Sequence, residues 1–575
     1  MQILKTIILF SFICVMCWIT FCLFTLPDLS GLGNKTRKPS ISVLGNNNKI
    51  IGSLGDVYAG SINQDEITKH LTNAVVVIED KRFYSHSGID FKGLARAILF
   101  NIKERRYAQG ASTITQQLSK LIFLDKNKNL SRKLRELVIS FYLEYKYSKQ
   151  EILVMYLNRV YLGSGLYGVK AASRRYFSKT PDSLTIAESA ILAGLLKSPS
   201  RLSPLVNKTG SIRRANLIVT LLLKEGLINQ TEIEKAQIEL KKYEKKFNIS
   251  EVVLARYFID WVYTQTPDEV LRSKKDLLIK STLNSYLQNI VNTAIKEETK
   301  KVDAGIQTAV IVMDYKGAIK ALKGGRDWNK SKFNRATQSK RQIGSIFKTY
   351  VYLTALSIGY KLEDTVLDTP IIDNKWKPKN YGNKYEGEIS LERAFAKSSN
   401  VAAVKISEKV GRELIIRQTK KLGVISKIPN NPSMPLGVAS MSLLEVVGSY
   451  GAICGEGRAI IPFGINEIVL RNGKSFWKRT PPKRKKIISN KNQKDIKKLL
   501  REVVVTGTAS KLSSLPYKVI GKTGTTQNNR DAWFIGCAKG YVVGVWAGRD
   551  DDKSMKNVFG STLPLNIFNS IIKDI

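Results

Sequence analysis

Residues 6–27 carry no charge, and no second stretch of that length follows. At ~1.5 Å per residue the run makes roughly 33 Å of helix, enough to cross a hydrocarbon core of ~30 Å. It ends at Pro27 without a small-residue cleavage pattern, and Cys22 follows Phe21 rather than a small residue. The pattern predicts an uncleaved signal anchor. Lys5 favours an inward amino terminus, while Lys35, Arg37 and Lys38 weaken that asymmetry.

Beyond the anchor the periodicity changes twice. Residues 29–55 are rich in Gly, Asn, Ser and Lys and read as a connector. Residues 60–265 follow a helical period. Ser148 and Glu151 form a capping box ahead of an apolar face at Ile152, Leu153, Tyr156 and Leu157. Residues 184–196 read as a buried helix. Near residue 280 the period becomes that of strands. The β-branched run 308–313 turns through 314–317 into a second run, 318–322. Residues 532–538 and 541–547, split by Lys539 and Gly540, predict another hairpin. Helical stretches lie between the hairpins. Two domains of different class follow, with the boundary somewhere in 215–280.

A length of 575 residues and 43% hydrophobic content allow two sizeable cores. Mean hydropathy, −0.14, does not suggest a polytopic membrane protein. Lys and Arg total 92 against 48 Asp and Glu, a net charge of +44 that draws the chain toward anionic partners. Lysine in neutral, solvated positions accounts for part of that excess, as in 483–486. No nucleic-acid motif accompanies it. Residues 471–498 are strongly basic and read as a solvated loop. Three of five cysteines lie in the anchor. Cys454 and Cys537 are expected as two buried thiols, although an oxidising compartment would let them pair. With His70 and His86 the only histidines, a multi-histidine metal site is excluded.

Two sets of residues carry chemistry. In the first, Glu79 ends an apolar helix, where burial can raise a carboxyl pKa as a general base requires. A hydroxyl- and amide-rich run follows, with Ser112, Thr113, Gln116 and Gln117. Arg132, Lys133 and Arg135 then precede Glu136, cations that suit a diphosphate leaving group. Alone, each reads equally well as a surface ion pair or a helix cap. In the second set, Ser345 and Lys348 stand three apart on one helix face. Ser398 and Asn400 follow, then Lys522, Thr523, Gly524 and Thr525. The order SxxK, SxN, KTG is that of β-lactamases and penicillin-binding proteins.

The first set resembles the glycosyltransferase family of bacterial peptidoglycan synthases. The matches are EDxxFxxH at 79–86, GxSTITQQ at 110–117, RKxxE at 132–136 and KxxILxxYLNxxYxG at 149–163. The second set resembles the transpeptidase domain of class A penicillin-binding proteins, and the flanks at 333–336 and 341–342 agree. Thr349 departs from the Pro that many relatives carry there. The resemblance implies a multidomain chain: a transmembrane helix, a mainly α lysozyme-like domain, and an α/β serine β-lactamase-like domain with an antiparallel sheet. It divides the chain into 1–28 (cytoplasmic tip and anchor), 29–55 (connector), 56–215 (glycosyltransferase), 216–280 (linker) and 281–575 (transpeptidase).

The implied substrate is lipid II, joined to a nascent glycan strand with inversion and release of undecaprenyl diphosphate. Glu79 would be the base. Glu136, Arg132 and Lys133 would assist the leaving diphosphate, and a Mg2+ or Mn2+ ion there stays open. Ser112, Thr113, Gln116 and Gln117 would line the donor site. Residues 91–106 would dip into the membrane. In the second domain Ser345 would attack the stem peptide, Lys348 would accept its proton, and Ser398 would relay one. Asn400 and Lys522 would position the peptide, and Thr523, Gly524 and Thr525 would flank its carboxylate. The oxyanion hole would be the N–H groups of Ser345 and Thr525. β-Lactams would acylate the same serine. The chain would sit in the cytoplasmic membrane, single-pass, with its catalytic domains outside and other cell-wall proteins as partners. Taken alone, the serine set also fits a D,D-carboxypeptidase or a β-lactamase.

Overall fold

Capping boxes begin several helices of the amino-terminal half. Ser148 with Glu151 starts Lys149–Arg159, and Thr185 with Glu188 starts Ile186–Leu195. The computed structural model describes residues 16, 20–21, 40–54, 61–103, 112–123, 130–246, 255–273, 275–328, 330–371 and 376–575. The expected anchor at 6–27 falls almost entirely outside those residues. Among the described residues no helix is long and apolar enough to cross a membrane.

The chain divides into two units, the first built mainly from residues 53–253. Helix Ile186–Leu195 is buried at every position from Ala187 onward and lies at its centre. Helices Lys69–Glu79, Lys208–Lys224 and Gln230–Lys246 pack against it. Glu188 on this helix is fully buried, so its charge needs partners. Lys179 at 2.9 Å, the Thr185 N–H at 2.9 Å and the Tyr243 hydroxyl supply them. The expected linker 216–280 contains residues of regular structure. Leu222, Ile228, Ile233, Ala236, Leu240 and Tyr243 belong to this helical core.

The second unit takes residues 42–52, 254–273 and 277–575. Its main sheet is antiparallel, in the order Ile520–Thr525, Asp531–Ala538, Tyr541–Arg549, Ile306–Asp314, Ile319–Lys323. Asp531–Ala538 is buried throughout because helices cover both faces. Helix Leu563–Asp574 packs on one face, where Phe568 lies over Gly536. Helix Leu443–Cys454 packs on the other, where Val447 lies over Gly544. Lys539 and Gly540 both have positive φ, as a two-residue hairpin turn requires.

A second sheet runs Ser475–Lys478, Ile465–Leu470, Leu277–Ser281, Ile41–Leu44, Ile50–Leu54. The segment expected to be a connector, 29–55, therefore contributes a hairpin to the second unit. Strand Ser475–Lys478 likewise gives part of the basic loop a regular structure. The cysteine expectation is also corrected: Cys454 and Cys537 form a disulfide that ties helix Leu443–Cys454 to strand Asp531–Ala538.

Candidate active sites

In the first unit, Glu79 is the last residue of helix Lys69–Glu79. Burial pushes its carboxyl above the usual carboxylate range. A hydrogen bond from Gln117 Nε2, 2.9 Å from Glu79 Oε2, opposes that shift, and so does the charge of Arg214. Tyr156 donates to Gln117 Oε1 at 3.0 Å, so the amide is locked with its NH2 toward Glu79. Burial and the nearby Glu79 charge raise the Tyr156 phenol well above its ordinary value. It therefore stays a donor.

Asp80 has a different task. Its Oδ2 accepts the Ile114 N–H at 3.0 Å, and both its oxygens lie 3.1 Å from His86 Nε2. The carboxylate thus sits at the start of helix Ile114–Phe123, a favourable place for negative charge. Thr113 caps the same helix: its Oγ1 accepts the Gln116 N–H at 3.2 Å, and Gln116 Oε1 accepts the Thr113 N–H at 3.3 Å. Thr113 Oγ1 also donates to Gly88 O at 2.7 Å. Both residues are buried. Of the four residues expected to line a donor site, Thr113 and Gln116 therefore form a capping box. Gln117 serves Glu79, and Ser112 is exposed.

Glu136 is buried on helix Leu130–Lys146. Lys133 Nζ lies 3.2 Å from its Oε2 and 3.4 Å from Ser112 Oγ. The Arg132 side chain falls outside the described residues. Among those described, no group of three or more His, Cys, Asp or Glu is placed to hold a metal ion.

The second site gathers on three elements. A 3-10 turn, Gly344–Phe347, leads into helix Lys348–Ser357 and carries Ser345. Gly344 has φ of 54°, and a Cβ there would meet Thr525 O at 2.6 Å. A Cβ on Gly524 would meet Ile343 O and the Ile346 side chain, each at 2.7 Å. The serine turn thus lies directly on strand Ile520–Thr525, an approach that side chains would block.

Ser398 closes helix Leu391–Lys397 in the left-handed region, with φ of 58°. That region is sparsely populated for a residue with a side chain. Lys348 Nζ donates to Ser398 O at 2.6 Å and to Asn400 Oδ1 at 2.7 Å, and lies 3.3 Å from Ser398 Oγ. Lys522 Nζ reaches the same Ser398 Oγ at 2.8 Å. One hydroxyl therefore bridges two lysines. Both are fully buried. Burial lowers Lys348 well below the ordinary lysine range, and the Lys522 charge adds to this. Lys522 is lowered by burial to about 7. Thr523 and Thr525 are held by the Thr508 hydroxyl and the Gly560 N–H.

Sequence reasoning missed Asp80, Tyr156 and Arg214 in the first site, and Asp368 and Asn380 in the second. Asp80 and Tyr156 stand inside motifs that were recognised without a role for them. No local pattern points to the other three.

Similarity to known proteins follows the same division. The transglycosylase family profile matches residues 47–222. The profile for the penicillin binding protein transpeptidase domain matches 308–573. Penicillin-binding protein 1A of Aquifex aeolicus is 31% identical, covering 95% of this chain and 88% of that protein. Penicillin-binding protein 1B of Haemophilus influenzae is 31% identical, covering 87% of this chain and 67% of that protein. The crystal structure of penicillin-binding protein 1A from Haemophilus influenzae shares the fold, with a TM-score of 0.59 at 20% identity, covering 93% of this chain and 92% of that one.

Proposed function

This chain belongs to the class A penicillin-binding proteins, bifunctional enzymes with glycosyltransferase and transpeptidase activity, and from that premise we propose how its own residues perform the two reactions. In the first unit the substrates are lipid II and a growing glycan strand. Glu79 removes the proton from the acceptor sugar hydroxyl as that oxygen attacks the anomeric carbon of the donor. The bond to the diphosphate breaks, and the anomeric centre inverts. Gln117 and Tyr156 hold Glu79 in place. Lys133, beside Glu136, faces the leaving diphosphate, and the motif adds Arg132 as a second cation. For a Mg2+ or Mn2+ ion the described residues bring no group of three or more His, Cys, Asp or Glu together, and Glu136 already lies beside Lys133. Among Ser112, Thr113, Gln116 and Gln117, only Ser112 and Gln117 remain candidates for direct contact with the donor.

In the second unit Ser345 Oγ attacks the penultimate D-Ala carbonyl of a stem peptide. Lys348, kept neutral by burial and by Lys522, takes the serine proton. The N–H groups of Ser345 and Thr525 receive the oxyanion. Ser398, bridging both lysines, passes a proton to the departing D-Ala amine. An amine from a neighbouring stem then takes the acyl group and frees the serine. Asn400, Lys522, Thr523 and Thr525 hold the peptide and its carboxylate, and a β-lactam occupies the same place. The observation that carries this reading is the Ser398 hydroxyl set between two fully buried lysines next to the Ser345 turn.

The chain works at the outer face of the cytoplasmic membrane, held by residues 6–27. Helix Phe91–Lys103 supports a second membrane contact: Phe91, Leu94, Leu99, Phe100 and Ile102 are exposed. An exposed apolar cluster of that kind suits an interfacial helix.

The test uses full-length protein in detergent with labelled lipid II, with and without penicillin, followed by muramidase digestion. Polymer with cross-linked dimers that penicillin abolishes is the expected result. Polymer without dimers removes the transpeptidase assignment. No polymer removes the glycosyltransferase one.

A further inference from the structure

Behind the second site lies a carboxylate that none of its motifs contains. Asp368 ends strand Thr365–Asp368 and is buried. Its Oδ1 accepts from Ser399 Oγ at 2.7 Å and from Asn380 Nδ2 at 2.8 Å, and its Oδ2 accepts the Glu386 N–H at 3.2 Å. Asn380 Oδ1 in turn accepts the N–H of Asn400 at 2.8 Å and of Val401 at 3.1 Å. Asn400 gives its Nδ2 to Lys379 O at 2.7 Å, which turns its Oδ1 to Lys348 at 2.7 Å. An unbroken chain of contacts thus runs from Asp368 through Asn380 and the Asn400 residue to Lys348 Nζ. The general serine–lysine motif has an aspartate between its serine and asparagine. Here that residue is Ser399, and its hydroxyl passes the contact to Asp368.

Charge points the same way. Two fully buried lysines repel each other and pay for desolvation, and a buried cation needs an anion or must lose its proton. The groups around Lys348 Nζ are Ser398 and Asn400, which it contacts, with Lys522 on strand Ile520–Thr525 and Asp368 acting through their charges. Of these, Lys522 disfavours the protonated form of Lys348 and Asp368 favours it.

We propose that Asp368 is a positioning residue of the transpeptidase: through Ser399 and Asn380 it holds the 398–400 turn, and its charge balances the Lys348–Lys522 pair. This rests on the serine–lysine reading above. Its consequence is a set point for the base. The acidic limb of acylation belongs to the coupled lysines, and Asp368 keeps that limb higher than burial alone would.

The experiment measures acylation of the full-length protein in detergent by a fluorescent penicillin, as rate against pH. In Asp368→Asn the shape is kept and the charge is lost. Neutral Lys348 is then favoured, so the acidic limb moves down by about half a pH unit or more, and the plateau rate falls about tenfold. Ser399→Ala keeps the carboxylate: its plateau falls, and its limb stays. An Asp368→Asn protein with the wild-type limb overturns the charge role, whatever its rate. Should that variant fail to fold, as melting would show, Ser399→Ala and Asn380→Ala are read instead. A wild-type plateau in both overturns the positioning role. A wild-type protein that penicillin does not acylate overturns the serine–lysine reading, and this proposal with it.

Discussion

Gln117 decides how strongly Glu79 acts as a base. Burial raises the Glu79 carboxyl, and the amide hydrogen bond lowers it again by stabilising the charged form. Removing the amide leaves burial less opposed, so the pKa rises. The base must be deprotonated to act, so stability of the proton on Glu79 means loss of rate. Gln117→Ala is expected to shift the acidic limb of the polymerisation pH–rate profile upward and to lower the plateau about tenfold. Polymerisation rates measured against pH check this, and a limb that moves down would contradict it. Tyr156→Phe should move the limb in the same direction by less, because Gln117 keeps its bond to Glu79.

At the scale of elements, the serine turn and strand Ile520–Thr525 meet backbone to backbone. Gly344→Ala would place a Cβ 2.6 Å from Thr525 O, at a φ that side chains disfavour. The turn must shift, and with it Ser345 and the N–H groups of the oxyanion hole. Penicillin acylation is expected to fall by at least about a hundredfold. Polymerisation by the first unit should continue, because its core is separate. Loss of both activities together would show that the substitution unfolds more than the turn. Helix Ile114–Phe123 shows a different economy of residues: Asp80, Thr113 and Gln116 all serve its first turn. That start carries Gln117 into place opposite Glu79, which explains why polar residues of a recognised motif face inward.

Across the whole molecule, the Cys454–Cys537 disulfide closes a separation of 83 residues within the second unit. Such a link stabilises by about 2–4 kcal/mol, mainly by restricting the unfolded chain. Reduction, or the Cys454→Ser and Cys537→Ser pair of substitutions, is expected to lower the melting temperature of penicillin-binding activity by several degrees. Thermal inactivation with and without reductant measures it, and an unchanged midpoint would mean the bridge adds nothing. A bond of this kind persists in an oxidising compartment.

Sequence by itself determined whatever depends on neighbours a few residues apart. Helical and strand periods, the box at Ser148 and Glu151, the turn at Lys539 and Gly540, and the spacing of Ser345 to Lys348 are all local, and each is present in the structure. The motifs also single out Glu79, Glu136, Ser398 and Lys522 as candidates, since their order along the chain needs no knowledge of where the chain returns. Only the tertiary structure decided the rest. Gln117 meets Glu79 across 38 residues, Ser399 meets Asp368 across 31, and Cys454 meets Cys537 across 83. Residues 42–52, which read as a connector, gain strand partners at 277–281. Thr113 and Gln116 look like ligands for a sugar until the fold turns them onto their own helix. The reason is physical. A periodic pattern states which face of an element is apolar, but hydrogen bonds of side chains such as Asp368 and Asn380 exist only once distant segments bury them together.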